Sequence, residues 1–343
     1  MKTLKKKFDK EKIQRKVKSN SFYKRFSSWT KNALLSKGHD ISLYEFGAVM
    51  FKEFKRNDLN TESRALAYSF ILALFPGIIF LFSLIPFFPM HLEEEAINQF
   101  IHDGMGMQLP TSMSKPFAET VMDIVNKQRN GVTIFSFLFA LFLSTNGMVA
   151  LMDSFNKCYK LSEKRGFIKK RLIAIGLTIL LSGVLLISIA VVAISSTKIY
   201  LLFEYLEQYT RIDLRFMDQI GRDIQVFENF VFVFLFFITI SIIYYFAPAT
   251  SSRWSFFSKG TIVATALCVG TTAGFSYYLT NYAKYQALYG AIGTLIGFMI
   301  WLQLITLMLL IGFEVNTSLD LLIVTKERRK KWRKSPPTLE NKE

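Results

Sequence analysis

Few residues in this chain have the types and spacing of a catalytic or metal-binding site. The three histidines, His39, His91 and His102, lie in polar segments and are not spaced as metal ligands. The patterns of zinc proteases, serine hydrolases and P-loop proteins do not occur, and no pair of carboxylates lies within an apolar segment. Cys158 and Cys268 imply neither a disulfide framework nor a thiolate metal site. We therefore expect no enzyme, metal or cofactor, although a site assembled from distant residues stays open as an alternative.

Four charged residues lie near the ends of long apolar segments. Arg64, Asp153, Arg171 and Glu314 belong to four different predicted helices, and the order of the segments places all four at the same membrane boundary. Charges in or near hydrocarbon are costly, so they tend to pair or to line a wet cavity. Two interpretations stay open: a polar vestibule that binds a headgroup or couples to protons, and ion pairs that fix the depth of the helices. The depth of Glu314 is also open, because its apolar segment continues past it to Val324.

Uncharged polar residues inside the apolar segments are the other site candidates. They are Tyr68, Asn146, Gln303 and Asn316. Each could bridge two helices by a hydrogen bond, which contributes about 0.5–2 kcal/mol in membrane proteins. We expect this bridging role, with contact to a substrate in a polar cavity as the alternative.

Membrane-spanning helices must position these residues. The chain has 343 residues, 51% of them hydrophobic, and contains 34 phenylalanines. A helix needs roughly 18 or more apolar residues to cross ~30 Å of hydrocarbon. Six such segments predict an all-α, polytopic integral membrane helix bundle with additional short amphipathic helices. The predicted spans cover about residues 65–88, 132–152, 172–199, 230–247, 260–282 and 289–320.

Glycine and proline residues predict where these helices pack or bend. Gly270 with Gly274 and Gly293 with Gly297 form two small-xxx-small pairs, which let a neighbouring helix approach closely. A short hairpin joins the two helices concerned, so we expect the pairs to pack within the chain, with self-association as the alternative. Pro76-Gly77 interrupts the first span and predicts a kink.

The basic residues predict the topology. The net charge of +16 lies mainly in the two tails and in short loops between apolar segments. Because basic loops stay in the cytoplasm and six spans bring all strongly basic segments to one side, we expect both termini in the cytoplasm. The charge then marks topology, and we expect no nucleic-acid partner. The first 64 residues do not have the form of a cleavable signal peptide.

Three segments are predicted along the chain. Residues 1–40 form a basic extension that is mobile or lies along the membrane surface, 41–325 the membrane domain, and 326–343 a basic cytoplasmic tail. Ser42 and Glu45 form a capping box, which opens an amphipathic helix. The apolar face predicted for that helix, opposite its charged residues, consists of Leu43, Phe46, Met50, Phe51 and Phe54.

Several motifs carry a resemblance to a known family. They are Arg64-Ala-x-Ala-x-Tyr68 and Leu74-Phe-Pro76 in the first span, Asn146-Gly147 in the second, and Tyr289-Gly-Ala-x-Gly293 through Trp301 to Leu310-x-Gly312-x-Glu314-x-Asn316 in the sixth. Over about residues 45–321 the chain resembles the YihY/BrkB family of bacterial inner-membrane proteins. The resemblance implies six membrane helices, a location in the bacterial cytoplasmic membrane, and an association with virulence traits such as serum resistance. One branch of the family is associated with transport of lipid A precursors.

The same family has carried the label ribonuclease BN. A metal-dependent nuclease would need a cluster of histidines and aspartates, which this sequence lacks. The label therefore receives no support, and no family catalytic residue carries over.

Two functional hypotheses remain. One is a transporter or lipid flippase-like protein for an amphiphilic or anionic substrate, since Arg64 and Arg171 suit an anionic headgroup. The other is a non-catalytic membrane scaffold for envelope assembly or virulence. Membrane lipids are the expected partners, and the oligomeric state stays open.

Overall fold

Helices dominate the structure, a computed structural model that describes residues 30, 33–36, 40–83, 134–159, 161, 163–209, 214–250, 254–281 and 291–334. Seven α-helices and one pair of short antiparallel strands lie in these residues, which confirms the predicted all-α class. In chain order the elements are β1 (Leu34–Ser36), β2 (Ile41–Ser42), α1 (Leu43–Asn57), α2 (Leu59–Ser83), α3 (Ile134–Cys158), α4 (Phe167–Tyr209), α5 (Leu214–Phe246), α6 (Lys259–Asn281) and α7 (Ala291–Lys334).

Five of the described helices are long and apolar enough to cross a membrane. Their candidate spans are Leu59–Leu81, Phe137–Cys158, Phe167–Ser188, Lys259–Leu279 and Leu295–Lys330. The fourth predicted span lies in α5, whose apolar segment Phe230–Phe246 is shorter than the roughly 20 residues that a full crossing requires. The prediction of several membrane helices is thus confirmed, while the count of six stays a prediction.

The boundaries of two helices differ from the sequence prediction. The predicted third span ends near residue 199, but α4 continues to Tyr209. The predicted amphipathic helix around residues 214–227 and the fourth span are one continuous helix, α5. No proline interrupts either sequence, so the helical hydrogen bonds can continue past the apolar segment. The predicted segment 91–130 and the hairpin at Lys284 lie outside the described residues.

The contacts divide the chain into two compact units. The first combines residues 1–57 with 314–343, and the second is residues 58–313. Helix α7 is unbroken over 44 residues and contributes to both units. The predicted domain boundaries at residues 40 and 325 stay predictions.

In the first unit, the capping box that opens α1 is confirmed. The Glu45 amide donates to the Ser42 hydroxyl at 3.2 Å, and the Ser42 amide donates to the Glu45 carboxylate at 3.3 Å. The Lys326 ammonium on α7 also donates to Glu45, at 2.7 Å. That hydrogen bond holds the pKa of the Glu45 carboxyl below its usual value, while partial burial acts in the opposite direction. The start of α1 and the end of α7 are therefore joined by a charged pair.

The buried face of α1 differs from the prediction. Phe46 is buried as expected, but Phe51 is 73% exposed and Phe54 is 41% exposed, whereas Glu53 is buried. Glu53 accepts a hydrogen bond from Arg56 at 2.6 Å, so its charge is paired within the helix. At about 100° per residue, Phe51 points roughly 140° away from Phe46. Phe46 therefore packs within the unit while Phe51 does not, and the predicted apolar face of α1 is buried only in part.

In the second unit, α2 and α3 run antiparallel. Glu62 near the start of α2 pairs with Lys157 at the end of α3, and the rings of Phe80 and Phe137 at the opposite ends lie 5.2 Å apart. Gly147 lies between these ends. A Cβ at this position would lie 2.9 Å from an edge carbon of Phe70, so the glycine permits the close contact of the two helices.

An aromatic cluster forms the core of the second unit. The rings of Phe155 on α3 and Phe313 on α7 stack with centroids 4.0 Å apart, and Tyr244 on α5 meets both edge-on. Trp254 meets Phe313 edge-on at 5.2 Å. Stacked and edge-on arrangements are the favoured geometries of aromatic rings. Three helices are fixed against one another at this point.

The close approach of α6 and α7 occurs at a glycine outside the predicted pairs. A Cβ at Gly312 would lie 2.9 Å from the Cα of Ala264 and 2.7 Å from the Tyr244 hydroxyl. Gly270 and Gly274 are exposed, and no atom lies within 4 Å of a Cβ built on either glycine. The structure therefore gives no support to packing at this pair within the described residues. Gly293 and Gly297 are buried.

The residues of the predicted kink, Pro76 and Gly77, lie inside the helix α2. Helix α2 continues through Pro76, and a Cβ built on Gly77 would lie 3.8 Å from the Cβ of Ser144 on α3, an ordinary contact distance. A functional kink at Pro76-Gly77 stays a prediction.

Candidate functional site

Polar side chains join α7 to α2 in the second unit. Gln303 donates to the side chain of Asn60 at 3.4 Å, and the Thr306 hydroxyl donates to the backbone carbonyl of Ser63 at 3.0 Å. Thr306 and Ser63 are fully buried. The predicted bridging role thus has a matching contact at Gln303, and the interface of the two helices is closed at this level.

Two further hydrogen bonds join α7 to α5 and α6. The buried hydroxyl of Tyr244 donates to the carbonyl of Leu309 at 2.5 Å, and the indole of Trp301 donates to the Thr272 hydroxyl at 3.3 Å. Hydrogen bonds between helices replace those that lipid cannot supply. Helix α7 is therefore held by three neighbours of its own unit.

Arg171 is hydrogen-bonded to neutral oxygens. Its guanidinium donates to the side-chain oxygen of Asn146 at 2.9 Å and to the carbonyl of Phe142 at 2.6 Å, and it lies 3.8 Å from the centroid of the Phe142 ring. The Nε atom is buried and has no hydrogen-bond partner. Among the described residues no carboxylate lies within ion-pair distance of this arginine, so none of them neutralises its charge.

The acidic residues near this end of α3 have lysine partners. Asp153 pairs with Lys170, and Glu62 pairs with Lys157. Arg64, by contrast, is exposed and makes no hydrogen bond or ion pair with the described residues. The structure therefore does not join Arg64, Asp153 and Arg171 into one cluster.

Arg64 begins an exposed stripe along α2. Tyr68, which is 60% exposed, Leu72 and Phe75 follow it at helical spacing on the same side. Neither Arg64 nor Tyr68 has a described hydrogen-bond partner. The stripe presents a cation and a tyrosine at one end and apolar side chains at the other. A lipid has the same arrangement, with a polar headgroup at one end and hydrocarbon chains at the other.

Glu314 and Asn316 lie in a fully buried part of α7. Glu314 is 1% exposed and accepts a hydrogen bond from the Asn57 amide at 3.3 Å, within the first unit. Asn316 is 5% exposed. A span of about 20 residues counted from Leu295 ends at Glu314, so the carboxyl lies at the end of the length that hydrocarbon requires.

The sequence analysis missed a polar cluster that follows α3. Asn156 donates to Glu163 at 2.8 Å and accepts from the amide of Ala249 at the same distance. Arg165 forms two hydrogen bonds with Glu163, each of 2.7 Å, and one of 3.1 Å with the carbonyl of Ala247. The Arg165 side chain is the main reason that the pKa of Glu163 is below its usual value. The available signal was a carboxylate two residues from an arginine in a short loop, where we considered only the basic residues as markers of topology.

An apolar groove lies between α5 and α6, with a cavity volume of about 340 Å³. Its polar lining residue, Thr265, donates its hydroxyl to the carbonyl of Thr261 at 2.9 Å and so offers no free donor to the groove. The lining residues are Phe230, Val233, Phe234, Phe237, Ile262, Thr265, Ala266 and Val269. None of the predicted site residues contributes to it.

Metal chemistry has no assembled ligands in the described part of the chain. No group of three or more histidine, cysteine, aspartate or glutamate side chains is arranged to hold a metal ion there. Cys158 and Cys268 are free and buried. The arrangement that is present can bind an anion through arginine or bridge helices through amides and hydroxyls.

Comparisons with known proteins agree with this membrane architecture. A Bacillus subtilis protein named YfkH and described as ribonuclease-like is 27% identical over 274 residues, which cover 79% of this chain and 93% of that protein. A UPF0761 membrane protein of Haemophilus influenzae is 26% identical over 282 residues, covering 82% and 97%. Another, from Mannheimia succiniciproducens, is 26% identical over 275 residues, covering 79% and 88%. No solved structure matches this chain. Residues 50–337 match the Virulence factor BrkB family, and the chain is therefore a membrane protein of that family.

Proposed function

We propose that this protein moves an amphiphile with an anionic headgroup across a bacterial cytoplasmic membrane. The substrate class follows from charge. Near the start of α2 and the end of α3, the carboxylates of Glu62 and Asp153 are neutralised by lysines, whereas Arg64 on α2 and Arg171 on α4 have no carboxylate partner among the described residues. This surplus of positive charge is the observation that carries the proposal.

The geometry of Arg171 suits a phosphate. Its present partners, the Asn146 amide oxygen and a backbone carbonyl, are neutral, and its Nε donor has no partner. A guanidinium presents its donors as a planar fork that binds two oxygens of a phosphate or carboxylate. A headgroup that reaches Arg171 would satisfy the Nε donor and neutralise the charge together.

The stripe on α2 supplies the complementary path. Arg64 and Tyr68 would contact the headgroup, while Leu72 and Phe75 would contact the hydrocarbon chain. The basic tails and loops support a topology with both termini in the cytoplasm, because positive residues are retained on that side.

The test is lipid movement in proteoliposomes. The probes are NBD-labelled phosphatidylglycerol and NBD-labelled phosphatidylcholine, and dithionite reduces the label that has reached the outer leaflet. We expect the anionic probe to move faster. Arg64→Ala and Arg171→Gln should each slow it by about tenfold or more, since a hydrogen bond to a charged group contributes about 1.5–3 kcal/mol.

Lys169→Gln is the matched control, because Lys169 is an exposed cation on the same helix as Arg171. It should leave the rate unchanged. Equal rates for all variants, or equal rates for the two probes, would contradict the proposal.

A membrane scaffold is the second candidate, and the packed interface of α2 and α7 favours it. Ser63, Leu66, Thr306 and Leu310 are at most 1% exposed, so no passage opens between these helices in this conformation. A scaffold predicts no protein-dependent movement of either probe.

A further inference from the structure

Glu314 has an unusually complete burial for a carboxylate. It lies within an uninterrupted run of buried residues, 312–318 of α7, and its own exposure is 1%. An ionised carboxylate in such surroundings is stable only when a cation or several hydrogen bonds compensate its charge.

The cation whose charge acts on the Glu314 carboxyl already pairs with another carboxylate. Arg56 on α1 acts on Glu314 through its charge, but its guanidinium donates to Glu53 at 2.6 Å, one helical turn away. Glu53 is itself 5% exposed. One guanidinium therefore faces two buried carboxylates, and the group carries one negative charge in excess.

The remaining neighbours of Glu314 are neutral. Asn57 on α1 donates to the carboxylate at 3.3 Å, and the Thr317 hydroxyl, which donates to the backbone carbonyl of Glu314 at 3.0 Å, also acts on the carboxylate as a hydrogen-bond donor. Ser318 follows Glu314 by four residues and so lies on the same side of α7. Its hydroxyl is fully buried and has no hydrogen-bond partner. The site thus contains a carboxylate whose charge is only partly compensated, with an unused hydroxyl on the same side of the helix.

We propose that Glu314 is a proton-binding site of this protein. A proton from the surrounding water binds the carboxylate and converts it to a neutral carboxylic acid, which removes the excess charge of the group formed with Arg56 and Glu53. The acid hydrogen can then be donated to the hydroxyl of Ser318 or the amide oxygen of Asn57. Because Asn57 and Arg56 belong to α1, proton binding at Glu314 is coupled to the docking of α1 on α7. The proposal does not depend on the transport proposed above.

The test is the pH dependence of thermal unfolding of the full chain in detergent. A proton held in the folded state but released on unfolding makes the free energy of unfolding fall as the pH rises. We expect the unfolding temperature of the native protein to fall between about pH 4.5 and pH 6.5, with an unfolding constant that rises by up to about tenfold per pH unit in that range. Glu314→Gln, which mimics the neutral acid, should flatten this dependence and be at least as stable as the native protein at the upper end.

Glu327→Gln is the matched control, because Glu327 is an exposed carboxylate on the same helix, and it should keep the native slope. If Glu314→Gln does not fold, Asn57→Asp gives the answer. A second carboxylate beside Glu314 should steepen the dependence, since two adjacent carboxylates rarely ionise together. A native slope in Glu314→Gln, or an unchanged slope in Asn57→Asp, would overturn the proposal.

Discussion

Gly312 of α7 lies against Ala264 of α6 with no room for a side chain between them. A Cβ at position 312 would lie 2.9 Å from the Cα of Ala264 and 2.7 Å from the Tyr244 hydroxyl, which itself bonds to the carbonyl of Leu309. The obstacle includes backbone, which cannot rotate away as a flexible side chain can. Three helices therefore meet at a position that only glycine fits.

Gly312→Ala should therefore destabilise the protein. We expect a loss of about 1–3 kcal/mol, the usual effect of overfilling a packed interior. Gly270→Ala is the control, because a Cβ there meets no atom and alanine favours the helix by about 1 kcal/mol. Thermal unfolding in detergent compares the two. Equal losses would show that Gly270 also lies in a tight contact.

Acid should weaken the polar cluster after α3. The pKa of Glu163 is held below its usual value chiefly by the hydrogen bonds from Arg165. A lowered folded-state pKa contributes stability that is present above the unfolded pKa and is lost as the pH falls through the folded value. We expect the unfolding temperature to fall below about pH 4.5, and Glu163→Gln to show a smaller fall from a lower starting point.

Arg165→Lys gives the comparison for this cluster. It keeps the charge but not the fork that binds both oxygens of Glu163, so its stability should lie between those of the native protein and Glu163→Gln. A native acid profile in Glu163→Gln would show that another carboxylate is responsible.

The capping box should govern the start of α1. Ser42→Ala removes the acceptor of the Glu45 amide, a change that costs about 0.5–2 kcal/mol at helix caps. Faster hydrogen exchange in the first turn of α1 is the expected result. Glu45→Gln loses the ion pair with Lys326, but its side chain is 46% exposed, and such pairs contribute about 0–1 kcal/mol. A larger effect of Glu45→Gln than of Ser42→Ala would reverse this order.

Whether α5 crosses the membrane can be read from two loop positions. Lys164 precedes α4 and Ser255 precedes α6, and both are exposed. If α4 and α5 both cross, Lys164→Cys and Ser255→Cys will react with an impermeant maleimide from the same side. The native cysteines are buried and should give little background. Labelling from opposite sides would show that the short apolar segment of α5 does not cross.

Local features of this fold were accessible from the sequence. The capping box depends on two residues three apart, and the spans depend on the length of apolar segments. The partners of the polar residues were less accessible, because they lie far apart in the chain. Arg171 was expected among charged residues, but its side-chain partner is the neutral Asn146, 25 residues earlier.

The packing glycines show a second limit. Helix α6 is apolar around most of its circumference, so its sequence does not reveal which face meets a neighbour. The pair Gly270 and Gly274 matched a known pattern and proved exposed, whereas the contact uses Gly312. The burial of Glu53 was missed for a related reason. The hydrophobic pattern assigns this residue to the surface, but its pairing with Arg56 compensates its charge when it is buried.

Helix α7 measures about 66 Å at 1.5 Å per residue, and neighbours grip it at successive heights through Trp301, Gln303, Thr306 and Leu309. A helix that contacts different partners at several levels cannot slide gradually along its axis, because all of these contacts would have to break together. Any axial shift of this helix should thus be a single step between two positions. The response of the protein to a stimulus would then be all-or-none and not graded.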